Sequence, residues 1–243
     1  MKLTLASIAF SVSFSFSTAF AQDRFYSWSD QFDKGDPGDI GIESCSDFNT
    51  NTITDNRYFF NQQFEIEYSL SDRAVVSVSQ AFGKLYPDGS FSFGQFGLEG
   101  LYEIISPGRF IVDPVICVEY SRIWSLSSPS YLETKLILTR DFGPLNAIAN
   151  FSAEYQFGTV SELEPEFSGG ISYEFTDWLR GGFEMSVTGK DADPLPDADL
   201  HGTGVGPTLS FCTGLFRIAS GISYGIDRGS NRLNFRTIVG MDL

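Results

Sequence analysis

The chain has 243 residues, of which 42% are hydrophobic, 15% aromatic and only 19% charged, and its formal net charge is -15. The excess of 31 acidic over 16 basic residues argues against a nucleic-acid partner, because phosphate recognition needs a basic face. The apolar content argues against a disordered acidic chain. Soluble domains carry roughly 25% charged residues, so the shortage of charge indicates that much of the surface does not face water.

The first segment has the pattern of a secretory signal peptide. Lys2 precedes an apolar run, and Ala19-Phe20-Ala21 forms a small-residue cleavage site. We therefore predict that residues 1–21 are a signal peptide cleaved after Ala21. Residues 22–37 lack strand alternation and end in turn formers, which predicts a periplasmic leader; a plug in the pore or a partner-docking segment is the less favoured alternative.

From residue 38 to the end, apolar and polar residues alternate in blocks separated by turn residues, with no helical periodicity. No stretch after residue 21 is apolar over the roughly 20 positions of a membrane helix. Twelve blocks follow one another, at 38–48, 56–70, 73–83, 91–104, 111–123, 131–140, 144–157, 165–175, 178–188, 201–211, 214–226 and 231–243.

The connections between the blocks alternate between tight turns and mostly longer loops, as in barrels of the bacterial outer membrane. The sequence thus predicts an all-β fold, a closed antiparallel up-and-down transmembrane β-barrel of about 12 strands over residues 38–243. Both termini would lie in the periplasm.

Each block has one hydrocarbon face and one polar face. In 131–140, Leu132, Leu136 and Leu138 alternate with Glu133 and Lys135. Small residues on the polar face favour a crowded lumen, and aromatic residues near the strand ends favour two interfacial girdles. These aromatic residues are Tyr68, Tyr102, Phe175 and Trp178 beside the tight turns, and Phe82, Tyr120, Trp124, Tyr131, Tyr155 and Tyr224 towards the long loops.

Strict alternation places many charged side chains in the lumen. They are Glu65, Glu67, Glu99, Glu103, Glu119, Glu133, Lys135, Glu154, Glu174, Arg180, Glu184, Arg217, Arg232 and Arg236, together with Arg73. One interpretation is a structural network of ion pairs, since an unpaired charge in a low-dielectric interior is costly. The other is a water-filled path that selects solutes by charge, with a modest bias to cations.

Other motifs give no catalytic, cofactor or metal site. Residues 221–225 match GxSxG, but they lie within one alternating strand, whereas a nucleophile elbow needs a strand, a turn and a helix. His201 is the single histidine, with no serine placed beside it by the sequence, so a surface residue is favoured over a hydrolase. The carboxylates of the 189–200 loop lack the glycine and terminal glutamate of a calcium loop and give only a weak metal candidate; they are Asp191, Asp193, Asp197 and Asp199.

The remaining sequence features are three cysteines and a set of short motifs. Cys45, Cys117 and Cys212 are odd in number and far apart, which favours incidental small residues over a disulfide framework. Several short segments form a recognisable set: Phe64–Arg73, Glu133–Leu138 running into Asp141-Phe142-Gly143, Asn150-Phe151 and Gly206-Pro207-Thr208. These segments resemble predicted outer-membrane barrels described as porin- or transporter-like and related to the MetA-pathway phenol-degradation group.

This resemblance implies an outer-membrane barrel with a transport role and no catalytic residues. The chain departs from such barrels at its last residue, Leu243, where an aromatic side chain is usual. We expect a non-enzymatic passive channel or uptake pore for small solutes, in contact with outer-membrane lipid and with the barrel-assembly machinery, and without a cofactor. The alternative is a non-conducting barrel that presents the 124–130 and 189–200 loops to partners.

Overall fold

The computed structural model describes residues 25–32, 34–50, 58–86, 89–123, 129–158, 162–189, 200–227, 230 and 232–243. Their strands are β1 (Ile40–Thr50), β2 (Tyr58–Ser71), β3 (Ala74–Tyr86), β4 (Ser92–Glu103), β5 (Asp113–Ile123), β6 (Ser130–Phe142), β7 (Leu145–Phe157), β8 (Leu163–Thr176), β9 (Leu179–Gly189), β10 (Leu200–Thr213), β11 (Phe216–Gly225) and β12 (Leu233–Asp242). Each strand pairs antiparallel with its neighbours in sequence, and β12 pairs with β1. This closed barrel of twelve strands confirms the predicted fold. No helix in the described residues is long and apolar enough to cross a membrane.

The barrel closes through an unbroken register between the first and last strands. The pairing runs from Gly41 opposite Asp242 to Thr50 opposite Leu233. Backbone hydrogen bonds in both directions between Ile40 and Leu243 extend the pairing by one more position. Closure satisfies the backbone groups of both terminal strands, which would otherwise be unpaired sheet edges. The described residues before β1 are not part of this β1–β12 pairing.

The connections define two ends of the barrel. Residues 72–73, 143–144, 177–178 and 214–215 form tight connections at the end that we call the turn end, and the opposite end is the loop end. Gly143 and Gly214 adopt φ values of +63° and +57°, a left-handed conformation that glycine reaches without steric cost.

The β4–β5 connection departs from the expected segregation of lengths. The alternation of connections predicts a tight turn, at 106–109, between the blocks 91–104 and 111–123. The connection at the turn end instead spans residues 104–112, longer than residues 87–91 at the loop end. It follows the turn-end rim because the Gly108 N–H donates to Asp113 Oδ1 (2.6 Å) and Arg140 donates to the Phe110 carbonyl (3.1 Å). These bonds satisfy backbone groups that would otherwise have extended the β4–β5 ladder.

The two wall faces differ as the alternation predicted, with two corrections. Outward side chains such as Ile66 and Leu70 are exposed, whereas inward Ser77 and Asn150 are buried. Tyr131 lines an inner pocket with Glu154, so it does not join the outer aromatic girdle. The inner face is also not uniformly polar, because aliphatic residues interrupt it; these are Val75, Leu101, Val115, Ile137 and Ile148.

Candidate functional site

The described part of residues 25–36, which we call the inner segment, lies inside the barrel. We expected residues 22–37 to form a leader outside it, with a position in the pore as the less favoured alternative. The Gly35 N–H donates to Ser69 Oγ (3.1 Å) near the β2–β3 turn. The Arg180 guanidinium lies 3.9 Å from the centre of the Phe25 ring near the β8–β9 turn. Both ends of the inner segment are therefore at the turn end.

Between these ends the inner segment reaches into the middle of the lumen. The Asp30 carboxylate pairs with Lys135, and Asn150 Nδ2 donates to the Asp30 carbonyl (3.0 Å). The Gln31 side-chain oxygen accepts from the backbone N–H of Phe25 (2.6 Å), which folds the segment back on itself. The segment thus enters and returns as a hairpin-like loop.

A single wall carboxylate, that of Glu184 on β9, anchors the tip of this loop. One oxygen accepts from the Ser27 N–H (2.7 Å) and from Ser27 Oγ (3.1 Å). The other accepts from the N–H groups of Trp28 (2.8 Å) and Ser29 (2.9 Å). Three successive backbone donors converging on one carboxylate form a nest, and such charge-assisted hydrogen bonds are roughly twice as strong as neutral ones. Glu184 and Ser27 are buried.

Further contacts fix the fully buried Tyr26 and its neighbours. The Tyr26 hydroxyl is 2.9 Å from Asn146 Oδ1 and 3.0 Å from the Asn146 carbonyl, to either of which it donates. Ser27 Oγ lies 2.9 Å from the Thr208 hydroxyl oxygen, and Arg236 donates to the Ser27 carbonyl (3.2 Å). The inner segment is therefore bonded to β7, β9, β10 and β12.

Two wall glycines provide the space for the inner segment. A Cβ on Gly221 would lie 2.2 Å from both Ser27 Oγ and a ring carbon of Trp28. A Cβ on Gly170 would lie 2.8 Å from the Tyr26 ring. Real Cβ atoms do not approach other atoms this closely, so the wall accepts the segment only because both positions lack a side chain.

The aliphatic residues of the inner wall are covered by the same segment. Tyr26 belongs to one buried cluster with them, and Phe25 and Phe32 pack against this cluster. Burial of apolar side chains contributes about 25 cal/mol per Å² removed from water. The apolar patch and the aromatic residues of the segment are thus complementary.

The described residues enclose open space in the loop-end half of the lumen. A cavity of about 800 Å³ opens there between β2, β3 and β4. A smaller pocket of about 160 Å³ shares Gln63, Ser79 and Glu119 with this cavity and is bounded by Asp30 and Gln31 of the inner segment. The open space therefore extends from the loop end down to the inner segment.

The predicted lumen charges fall into three groups. The first lines the two cavities and comprises Glu65, Glu67, Glu99, Glu119, Lys135, Glu154 and Arg236. The second contacts the inner segment and comprises Glu103, through Lys34 at 3.3 Å, with Lys135, Arg180, Glu184 and Arg236. The third contains wall pairs: Glu133 lies 3.5 Å from Lys135, Glu174 pairs with Arg180, and Arg217 lies 3.3 Å from Glu67.

Two predicted residues lie at the barrel ends. Arg232 precedes β12 and is exposed, so it lies at the loop-end rim and not on the lumen wall. Arg73 bonds Ser106 at the turn end. Arg232 misses the wall because β12 begins at Leu233, two residues after the start of the alternating block 231–243.

Several inward acidic residues were missed in the sequence. Asp47 pairs with Arg236, and Arg217 contacts Glu43 (3.9 Å) and Asp242. Glu43 and Asp47 share the inward parity of β1, a signal that was available in the sequence. Asp30 carried no such signal, because its segment has no periodicity.

The rim and the minor motifs add no catalytic or metal geometry in the described residues. Asp227 follows β11; partial desolvation acts in the opposite direction, but hydrogen bonds from Ser230 and from the Thr203 N–H hold the pKa of Asp227 below its ordinary value. Residues 221–225 end β11 without a helix after them, and Ser223 is buried. No group of three or more potential ligands fit for a metal occurs in the described residues. The His201 side chain and the loop carboxylates Asp191, Asp193, Asp197 and Asp199 lie outside the described residues.

The closed antiparallel barrel of twelve strands is similar to barrels among the solved structures. No model of a known protein family matches the chain, and no curated protein matches it. Among solved structures, it is similar to the NanC porin (TM-score 0.56, 9% identity, 84% of this chain and 100% of that chain). It is equally similar to the KdgM porin (TM-score 0.56, 10% identity, 83% and 98%). An outer membrane channel from Pseudomonas putida F1 has the same TM-score of 0.56, at 8% identity and 86% and 96% coverage. At such identities the likeness shows the fold alone, and the resemblance to the MetA-pathway group stays a prediction.

Proposed function

We propose that the protein is a non-enzymatic passive channel of the bacterial outer membrane for small solutes, with a preference for cations. The observation that carries this proposal is the open loop-end cavity, which continues into a pocket lined by carboxylates. Rings of acidic side chains favour cations in aqueous pores. The fold shared with two porins and an outer membrane channel supports the same class of function.

The outer surface supports the membrane location. Exposed apolar and aromatic residues cover the strands, among them Phe64, Ile66, Leu98, Phe151 and Ile171. A contiguous surface of this kind is unfavourable in water and fits a lipid-facing band. Lipid is therefore the proposed partner of the outer face, and the barrel-assembly machinery the proposed partner during insertion.

Planar-bilayer recording tests the proposal. The full chain is compared with a full-length variant in which residues 25–32 are replaced by alternating Gly and Ser, because the inner segment narrows the path in the native chain. We expect stepwise currents from the variant and, in a KCl gradient, a reversal potential with the sign of K⁺ selectivity. Folded variant protein, identified by its heat-modifiable migration on gels, that carries no current would refute the channel function.

The inner segment also favours one alternative, a non-conducting barrel that presents its loop end to partners. Its contacts with β7, β9, β10 and β12 hold it across the lumen. In that case the segment-replaced variant would carry no current, whereas deletion of residues 124–129 or 190–199 would abolish binding of the partner.

A further inference from the structure

We propose that Glu184 is the latch of a removable closure: its carboxylate holds the inner segment in the lumen, and its neutralisation lets the segment withdraw through the turn end. This inference rests on the proposed channel function and adds the residue that sets the open fraction, which is the fraction of time that the channel conducts. It concerns a positioning residue, because Glu184 acts through the backbone of the inner segment.

Several hydrogen bonds of the inner segment are concentrated on the Glu184 side chain. The backbone N–H groups of Ser27, Trp28 and Ser29 and the Ser27 hydroxyl all donate to Glu184, at 2.7 to 3.1 Å. Other hydrogen bonds of this tip go to scattered partners, among them Asn146, Thr208 and Arg236. Loss of this one carboxylate would leave three backbone donors without their acceptor, two of them on the buried Ser27 and Ser29, which is costly.

The inner segment has a route of withdrawal through the turn end. Gly35 is bonded near the β2–β3 turn and Phe25 is stacked near the β8–β9 turn, so both ends of the segment are at the turn end. A loop with both ends on one side can withdraw without threading through the barrel. Barrel closure by β1 and β12 is independent of it, so withdrawal leaves the wall intact.

The barrel wall leaves space for the tip of the inner segment. Gly221 and Gly170 leave the space that Ser27, Trp28 and Tyr26 occupy, and Glu184 Cγ itself would lie 2.9 Å from a Cβ on Gly170. The nest and the cleared space thus meet at one place in the lumen, where Glu184 accepts the bonds of the tip.

The test is the full-length Glu184→Gln variant in planar bilayers, with Asp177→Asn as the matched control. Asp177 is an exposed carboxylate in the turn before β9, so its substitution changes the net charge equally without touching the inner segment. In Glu184→Gln an amide NH₂ faces backbone donors, and we expect the open fraction to rise at least about tenfold, the equivalent of losing one charge-assisted hydrogen bond. Asp177→Asn is expected to match the native chain. An equal open fraction in native and Glu184→Gln protein, or an equal rise in Asp177→Asn, would overturn the latch.

A reversible crosslink separates segment withdrawal from a change in the wall. Ser27→Cys and Thr208→Cys join two positions whose hydroxyl oxygens are 2.9 Å apart, in a background with the three native cysteines changed to serine. Combined with Glu184→Gln, the oxidised protein should show the low open fraction of the native chain, and reduction should restore the high one. A high open fraction that persists after oxidation would refute withdrawal. The segment-replaced variant distinguishes the two proposals: if it conducts while Glu184→Gln behaves as native protein, the latch fails and the channel function stands.

Discussion

Gly221→Ala should displace the tip of the inner segment. The added Cβ would lie 2.2 Å from Ser27 Oγ and from Trp28, whereas ordinary contacts begin at 3.4 Å, so a gap of about 1.2 Å has to open. Ser27 is fully buried and its hydroxyl contacts Glu184 and Thr208, so moving it costs these hydrogen bonds. Overpacking of this kind costs about 1–3 kcal/mol, which shifts the equilibrium between the inserted and withdrawn segment by roughly 5- to 150-fold.

Tryptophan fluorescence measures this shift. In a background with Trp124→Phe and Trp178→Phe, Trp28 is the remaining tryptophan. We expect Gly221→Ala to move its emission to longer wavelength and to increase its quenching by iodide. Gly100→Ala is the matched control, because its Cβ would meet nothing within 4 Å. The reasoning is refuted if the two variants show the same emission and quenching.

Three further predictions follow from the wall and the rim. Arg217→Leu leaves the carboxylates of Glu43, Glu67 and Asp242 facing one another. It should therefore lower the free energy of unfolding, measured in denaturant titrations, by about 3–5 kcal/mol. The control Arg109→Leu, at an exposed position, should change this free energy by less than about 0.5 kcal/mol. Joint Glu119→Gln and Glu154→Gln substitution should shift the KCl reversal potential of the segment-replaced variant towards zero, and an unchanged potential would contradict the acidic selectivity. Because the folded-state pKa of Asp227 is lowered, its stabilisation is present above pH 3.8 and is lost as the pH falls further, so Asp227→Asn should flatten this acid loss of thermal stability; an equal slope would contradict it.

The strands were predictable because their signal is local. Period-two alternation marks a strand with two different faces, and the block at 144–157 became β7 (Leu145–Phe157). Turn residues divide the alternation, so the count of twelve strands also followed. The β4–β5 connection was less predictable, because bonds such as that from Arg140 to Phe110 link residues far apart in sequence.

The inner segment could not be placed from its own pattern. Its partners Asn146, Glu184 and Thr208 are 120, 157 and 181 residues away in sequence. The segment has no periodicity. Its local pattern is therefore the same as that expected of a flexible leader outside the barrel. Its position depends on complementarity with the wall, which appears only when the barrel is closed.

The sequence of the wall nevertheless contains a signal for the inner segment. Val75, Leu101, Val115 and Ile137 stand at inward positions where a water-filled lumen favours polar residues, and all four are buried with Tyr26. An apolar patch on the inner face of a barrel needs a cover, and aromatic residues before the first strand are the cover with the shortest connection. Burial of each such side chain gains about 1.5–3 kcal/mol, while ordering each residue of the segment costs about 1–2 kcal/mol. Because gain and cost are of the same order, a small number of strong bonds decides whether the segment stays inside, which makes the Glu184 nest the place where closure can be controlled.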